Sequence, residues 1–384
     1  MQKTLSLLAA AIFYIALSTT VTAQTPVASA IHFQHTIESK VLGETRSILV
    51  HVPPGYGAGN ARYPVVYMTD AHGAQNPMMV GIVDQQAASG TIPNMIIVGI
   101  QNIDRSRDLT PTNDGGGGRV GGGAKFLKFI ETEVIPVVEA NYRTEPYRVI
   151  AGHSLGGLFA IYTFVERPEL FNAYIAASPV LHWDDKIIIK RAAAMLKEPK
   201  DWKKSMFVSI ANEPDYVSGF NDFQDTLRKS KPKSFEFEFR QFKEDNHGSG
   251  VLPAYLAGLR KVYEGWQPPP SGTIADLDDH YRRLSSRFGY RIPVPEDVMN
   301  RAGYGLLGLK RFDEAISAFK RNVETYPQSA NVYDSLADAY ETNGQLKLAA
   351  ENYKRSIELA TAAGDSLLAA ASKRKYDAVL AKMK

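Results

Sequence analysis

Residues 147–164 restrict the fold of this chain more than any other part of its sequence. A short apolar run ends at Ala151 and leads directly into Gly152-His-Ser-Leu-Gly156, after which a second apolar run has helical character. A G-x-S-x-G motif between a strand and a helix predicts a sharp turn that lifts the serine above a sheet edge. The two glycines fit such a turn because neighbouring backbone approaches where a Cβ atom would clash. We therefore interpret Ser154 as a nucleophile; a glycine-rich turn with a solvent-facing serine is the alternative.

The segments around this turn alternate between apolar runs with strand character and amphipathic runs with helical character. Such alternation predicts an α/β fold with a mainly parallel sheet covered by helices on both faces. Pro136 lies inside one helix and predicts a kink or an early stop there. The predicted strands are 31–38, 45–52, 63–68, 94–100, 147–151, 173–178, 205–211 and 234–242, and the predicted helices are 81–89, 123–141, 158–164, 184–196, 218–230 and 250–264.

The first 23 residues have the pattern of a secretory signal peptide. Lys3 supplies a positive charge, residues 5–17 are apolar, and Val21-Thr-Ala23 offers small residues for cleavage. The apolar run is short for a membrane span, although an uncleaved anchor is the alternative. We expect a mature chain that begins near Gln24 and is periplasmic or secreted, without stable membrane insertion. The absence of cysteine excludes disulfides, a lipidated cysteine and thiol chemistry.

The C-terminal part of the chain differs in character from the rest. Residues 265–273 form a Pro-rich linker, which separates a predicted hydrolase domain at 24–264 from helices at 274–384. At an offset of 34 residues, small and large apolar residues recur, for example at Gly303 and Ala337. This segment resembles tetratricopeptide repeats, which implies paired antiparallel helices and a protein partner. A generic pair of helical hairpins is the alternative.

A catalytic serine requires a base and an acid, which follow it in the order acid then histidine in the α/β-hydrolase arrangement. Of the histidines after Ser154, His182 comes too early and His280 lies beyond the linker. His247, in a loop after the last predicted strand, is therefore the predicted base. The acid should follow strand 205–211, where Glu213 is our first choice and Asp215 the alternative.

The remaining site predictions concern the groups that contact substrate. The oxyanion hole requires two backbone N–H donors, which we assign to Leu155 and to His72, with Ala71 as the neighbouring alternative to His72. Arg105 and Arg107 could bind an anionic group of the substrate, or could instead form internal salt bridges. The glycine-rich segment 115–123 is not a phosphate-binding loop, because no Gly-Lys-Ser/Thr follows it and no strand precedes it. We interpret it as a mobile edge of the cleft, with plain disorder as the alternative.

The order of these motifs resembles the esterase-D-type family of esterases. The motifs are Pro64-Val-Val-Tyr-Met-Thr-Asp70, Arg105-Ser-Arg-Asp-Leu-Thr-Pro111, Gly152-His-Ser-Leu-Gly-Gly-Leu-Phe159, Ser178-Pro179 with Trp183, and His247-Gly-Ser249. That family includes siderophore esterases, S-formylglutathione hydrolases, feruloyl esterases and mycolyltransferases. The resemblance covers residues 31–264 and implies an α/β-hydrolase fold and acyl-ester chemistry, with the siderophore-esterase branch the most similar.

These observations predict a serine esterase that forms an acyl-enzyme on a small-molecule ester. No metal or organic cofactor is implied, and a net charge of +3 gives no reason to expect nucleic-acid binding. Acyl transfer to an alcohol is the alternative within the same fold. A repeat-based adaptor with a degenerate hydrolase domain is the alternative outside enzymes. Because every candidate catalytic residue precedes the linker, we expect residues 273–384 to be dispensable for small esters.

Overall fold

An eight-stranded, mainly parallel sheet forms the centre of the larger part of the molecule. The structure, a computed structural model, describes residues 31–384 except 72, 74, 116, 117, 199, 231, 270 and 271, so the predicted signal peptide lies outside the described residues. The strands are β1 (Ile31–Ser39), β2 (Glu44–Val52), β3 (Tyr63–Met68), β4 (Ile96–Ile100), β5 (Thr144–His153), β6 (Ala173–Ala177), β7 (Asp201–Ile210) and β8 (Lys233–Gln241).

The sheet order is β1-β2-β4-β3-β5-β6-β7-β8. β2 pairs antiparallel with both β1 and β4, and all other neighbouring strands pair in parallel. The predicted mainly parallel sheet is therefore confirmed. Because the carboxyl ends of β3, β5, β6 and β7 meet at one edge, residues that follow these strands are brought together there.

Helices cover both faces of this sheet and enclose two apolar cores. One core packs α3, α5, α6 and α7 on one face, and the other packs α1, α8 and α9 on the opposite face. The helices before the C-terminal region are α1 (Gln75–Ala88), α2 (Arg105–Leu109), α3 (Gly123–Phe129), α4 (Ile135–Asn141), α5 (Leu155–Glu166), α6 (Trp183–Met195), α7 (Pro214–Ser230) and α8 (Val251–Val262).

The kink predicted at Pro136 takes the form of a π turn just before that residue. Ile130–Val134 is a single π-helical turn between α3 and α4, and the Ile135 N–H bonds to the Ile130 carbonyl five residues back. Pro136 lies in the first turn of α4, where its missing N–H costs no bond within α4. The chain therefore continues as a helix through 123–141 instead of stopping.

Six described helices follow α8 in pairs, and the first continues the core of the sheet. They are α9 (Ile274–Phe288), α10 (Glu296–Gly308), α11 (Phe312–Thr325), α12 (Ala330–Thr342), α13 (Leu346–Ala362) and α14 (Ser366–Lys382). Phe288 of α9 packs its ring 4.9 Å from Tyr147 and 5.2 Å from Tyr263, measured between ring centroids. Among the described helices, none has the length and apolar character needed to cross a membrane.

The paired helices recur with the offset found in the sequence. α10 begins at residue 296 and α12 at 330, while α11 begins at 312 and α13 at 346, so each pair is displaced by 34 residues. Gly303 of α10 lies so close to Phe319 of α11 that a Cβ atom on Gly303 would be 2.6 Å from the ring. The recurrence of small residues at this position thus reflects the close approach of paired helices.

Candidate active site

Ser154 lies at the tip of a strained turn between β5 and α5. Its backbone has φ 60° and ψ −118°, which is an uncommon conformation for a residue with a side chain. The Ser154 N–H donates to the Ala177 carbonyl at 2.9 Å, which attaches the turn to β6. A Cβ atom on Gly152 would lie 2.2 Å from the Gly156 carbonyl oxygen, so glycine is required at this position. The predicted strand–turn–helix geometry around Ser154 is therefore present.

Glu213 and His247 form a hydrogen-bonded pair beyond the carboxyl ends of β7 and β8. The His247 Nδ1–H donates to Glu213 Oε1, and this contact joins a half-exposed imidazole to a buried carboxylate. Asp215 instead lies in the first turn of α7, where it is exposed. Of the two acids left open by the sequence, the structure thus places Glu213 against His247.

Two further donors fix the Glu213 carboxylate. Its Oε2 atom accepts from the Ser178 hydroxyl at 2.5 Å and from the Ala211 N–H at 2.8 Å. Burial by itself would raise the pKa of Glu213, but these bonds and the bond from His247 together hold that pKa below its usual value. Glu213 is consequently ionised at neutral pH and suited to stabilise an imidazolium on His247.

Two rings flank the His247 imidazole. The His153 ring centroid is 4.4 Å from that of His247, and the Tyr216 ring centroid is 5.2 Å from it. Burial raises the pKa of Tyr216, and an interaction with the Ser154 hydroxyl offsets part of this shift. Among the described hydrogen bonds, none joins the Ser154 hydroxyl directly to His247. Unliganded catalytic sites often have such loose geometry, which tightens when substrate binds.

The predicted oxyanion donors have different outcomes. Leu155 is the first residue of α5, so its N–H has no acceptor within that helix. Ala71 is unsuited as a donor, because its N–H donates to the Ile100 carbonyl at 3.3 Å. His72 lies outside the described residues, and its assignment stays a prediction.

Both predicted substrate-binding arginines form internal ion pairs. Arg105 makes a two-pronged bond to buried Asp70, with distances of 2.7 and 2.9 Å, and its Nη2 also donates to the His153 carbonyl at 3.0 Å. Arg107 pairs with Glu44 at 2.6 Å and with Asp108 at 2.8 Å. The salt-bridge alternative therefore describes both side chains, and Arg105 connects the end of β3 to the turn that carries Ser154.

Several site residues were not predicted from the spacing of catalytic residue types. Ser178 and Asp70 occur in the motifs that carry the family resemblance, but no role could be assigned to either. His153 is adjacent to Ser154 in the sequence, and Tyr216 lies close to Glu213. This proximity was the only signal in the sequence that could have identified either residue as part of the site. Their contacts depend on how β5, β7 and the loop of His247 meet at one edge.

The eight-stranded sheet with a serine-bearing turn after β5 defines the α/β-hydrolase class. Residues 39–218 match the family described as "Putative esterase". The ferri-bacillibactin esterase BesA of Bacillus subtilis (strain 168) is 30% identical over 224 residues, which cover 51% of this chain and 77% of that protein. The chain belongs to this esterase family, and it is an esterase.

Solved structures agree with this assignment. The crystal structure of an IroE-like serine hydrolase from Shewanella oneidensis has a TM-score of 0.67 and 28% identity, covering 73% of this chain and 95% of that chain. An uncharacterised protein from Capnocytophaga ochracea DSM 7271 has a TM-score of 0.62 at 17% identity, covering 91% of this chain and all of that chain. The second similarity shows the fold alone.

Proposed function

We propose that this esterase hydrolyses carboxylic esters through an acyl-enzyme on Ser154. The observation that carries the proposal is the Glu213–His247 pair at the sheet edge where the strained turn presents Ser154. A serine hydroxyl is a weak nucleophile unless a base takes its proton, and a carboxylate-bound imidazole is such a base.

In the proposed mechanism, His247 Nε2 accepts the Ser154 proton as the hydroxyl attacks the ester carbonyl. The alcohol leaves with that proton, and water then attacks the acyl-enzyme with His247 acting as base again. The bond between the acyl carbon and Ser154 Oγ breaks, the carboxylic acid is released, and Ser154 takes the proton back from His247. The backbone N–H groups of Leu155 and His72 bind the oxyanion of each tetrahedral intermediate. The described hydrogen bonds of Arg105 are made by Nε and Nη2 and not by Nη1. The Nη1 group is therefore available to bind an anionic atom of the substrate.

Hydrolysis is favoured over acyl transfer by the exposure of the base. The His247 side chain is 40% exposed, so water reaches the atom that activates the second nucleophile. An adaptor function without catalysis is disfavoured because Ser154, Glu213 and His247 are all present and meet at one edge of the sheet.

The similarity to a ferri-bacillibactin esterase supports a siderophore-type or other small acyl ester as the substrate. The proposed arrangement is a catalytic unit at 24–264 and tetratricopeptide-like helices at 274–384 that recruit a protein partner. We also propose export by the signal peptide at 1–23. Mass spectrometry of the native protein tests export, because retention of residues 1–23 would contradict it.

Covalent labelling and a substrate panel test the proposed chemistry. A fluorophosphonate should label the wild-type protein at Ser154, and S154A should lose both labelling and ester hydrolysis while keeping its fold. Rates on p-nitrophenyl esters of graded chain length and on a catecholate trilactone would identify the acyl preference. Full hydrolytic activity of folded S154A would exclude the mechanism.

A further inference from the structure

The His247 imidazole lies between two rings from different elements. His153, the last residue of β5, is on one side, and Tyr216 in the first turns of α7 is on the other, at tilts of 46° and 48°. The bond to Glu213 fixes the imidazole at Nδ1 only. A single hydrogen bond still allows the imidazole to rotate about that contact, and the two flanking rings limit this rotation.

His153 is the more rigid of the two flanking residues. It is 8% exposed, whereas Tyr216 is partly open to solvent. Its carbonyl accepts from Arg105 Nη2, and β5 pairs with β3 and β6 on either side. Its Nε2 atom is buried and has no hydrogen-bond partner among the described residues. A buried imidazole nitrogen without a partner has no evident role in stability, since leaving it unpaired costs free energy.

The charge state of His153 is compatible with a base beside it. Burial, followed by repulsion from His247, lowers the pKa of His153 to about 4. A hydrogen bond to the His247 backbone and the Asp70 carboxylate favour a charge on this ring, and Arg105 disfavours one. His153 is therefore neutral at neutral pH and does not repel a proton taken up by the neighbouring His247 ring.

We infer that His153 is a positioning residue whose neutral ring holds the His247 imidazole in the orientation required for proton transfer from Ser154. This inference rests on the proposed function, since it assigns His247 as the base. We assign this role to the flat face of the ring and not to the hydrogen bond that the ring makes to the His247 backbone. A misplacement of about 1 Å in a catalytic group can cost about 10²-fold in rate, which sets the expected effect.

Two variants of the full chain separate the ring from its nitrogens. H153A removes the wall and should lower kcat by about 10²-fold with little change in KM, and should slow fluorophosphonate labelling of Ser154 equally. H153F keeps a neutral ring and should recover most of that loss. The low-field proton resonance of the His247–Glu213 bond should broaden in H153A and persist in H153F. F288A, which disturbs the core shared with α9, controls for lost stability.

The outcomes distinguish this inference from the proposed function. If wild-type protein is not labelled at Ser154, the proposed function itself fails. If labelling is normal and H153A retains wild-type kcat, the positioning role is wrong. Equal losses in folded H153A and H153F would also overturn it, because the nitrogen atoms and not the ring would then matter.

Discussion

At the scale of single residues, the site depends on how one carboxylate is held. Glu213 accepts hydrogen bonds from Ser178, the Ala211 N–H and His247, so both of its oxygens are fixed. Ser178 itself has φ 42°, a strained conformation that aims its hydroxyl at Glu213. A carboxylate fixed in this way selects one tautomer of His247, which a mobile carboxylate could not do.

Replacing the two candidate acids should separate them clearly. E213Q should lower kcat by about 10³-fold or more, because an amide neither orients His247 nor stabilises its imidazolium. D215N should have little effect, since Asp215 is exposed in the first turn of α7. Steady-state kinetics on a p-nitrophenyl ester measure both. A larger loss in D215N would reassign the acid, and two mild losses would indicate a Ser–His dyad.

His153 should also make stability depend on pH. In the unfolded chain its imidazole binds a proton below about pH 6.5, whereas in the folded state its pKa is lowered to about 4. The unfolded state thus binds more protons between these values, and the free energy of unfolding should fall by an amount on the order of 3 kcal/mol as the pH decreases from 6.5 to 4.

Denaturant unfolding of wild type and H153F at a series of pH values tests this. The wild-type curve should fall more steeply than that of H153F through this range. The lowered pKa of Glu213 adds a loss at lower pH in both proteins, because that carboxylate is stabilising only when ionised. Parallel curves for the two proteins would contradict the assignment to His153.

At the scale of elements, the predicted strands lie close to the observed ones, because apolar runs between breaking residues are a local signal. Helix α1 begins at Gln75, earlier than the predicted start at 81. It buries polar Asn76 and Gln86 beside Met79 and Val83, so its apolar side is poorly marked in the sequence. Pro77 also argues against a helix there, yet proline is tolerated in a first turn.

Helix α9 packs against the part of the chain that precedes the Pro-rich segment, a contact that the composition of that segment did not indicate. Phe288 is 3% exposed and packs against Tyr147, Tyr263 and Trp266 across the Pro-rich segment. F288A should lower the free energy of unfolding by about 3–5 kcal/mol. The kcat on a short p-nitrophenyl ester should change little, because the catalytic groups lie beyond the carboxyl ends of the strands. A large fall in kcat of the folded variant would instead couple α9 to the site.

At the scale of the whole molecule, the first two C-terminal helices, α9 and α10, share one apolar core with the sheet. Leu277, Leu284 and Phe288 of α9 and Met299 of α10 belong to the same cluster as Val66 of β3. α9 thus lies between the sheet and the paired helices that follow it. The core formed by α11 to α14 is separate from it.

Two truncations test whether catalysis on small esters requires the helices that follow the sheet. A chain that ends at Tyr290 keeps α9, and its kcat on a short ester should stay within about tenfold of wild type, a barrier change of about 1.4 kcal/mol. A chain that ends at Gly272 exposes Tyr147 and Tyr263, so its melting temperature should be lower than that of the longer truncation. Loss of activity by several orders of magnitude in a folded chain ending at Tyr290 would show that the helices α10 to α14 help to form the site.

The sequence by itself determined the strands and the turn around Ser154, because each is marked by residues close together in the chain. It also indicated the candidate base His247 and the 34-residue recurrence, through the order and spacing of residues. Only the tertiary structure placed Glu213, and not Asp215, against His247, paired Arg105 with Asp70, placed His153 and Tyr216 beside His247, and joined α9 to the core of the sheet. These contacts link residues that are distant in the chain. They arise when parallel strands bring their carboxyl ends to one edge, so no local pattern of residues encodes them.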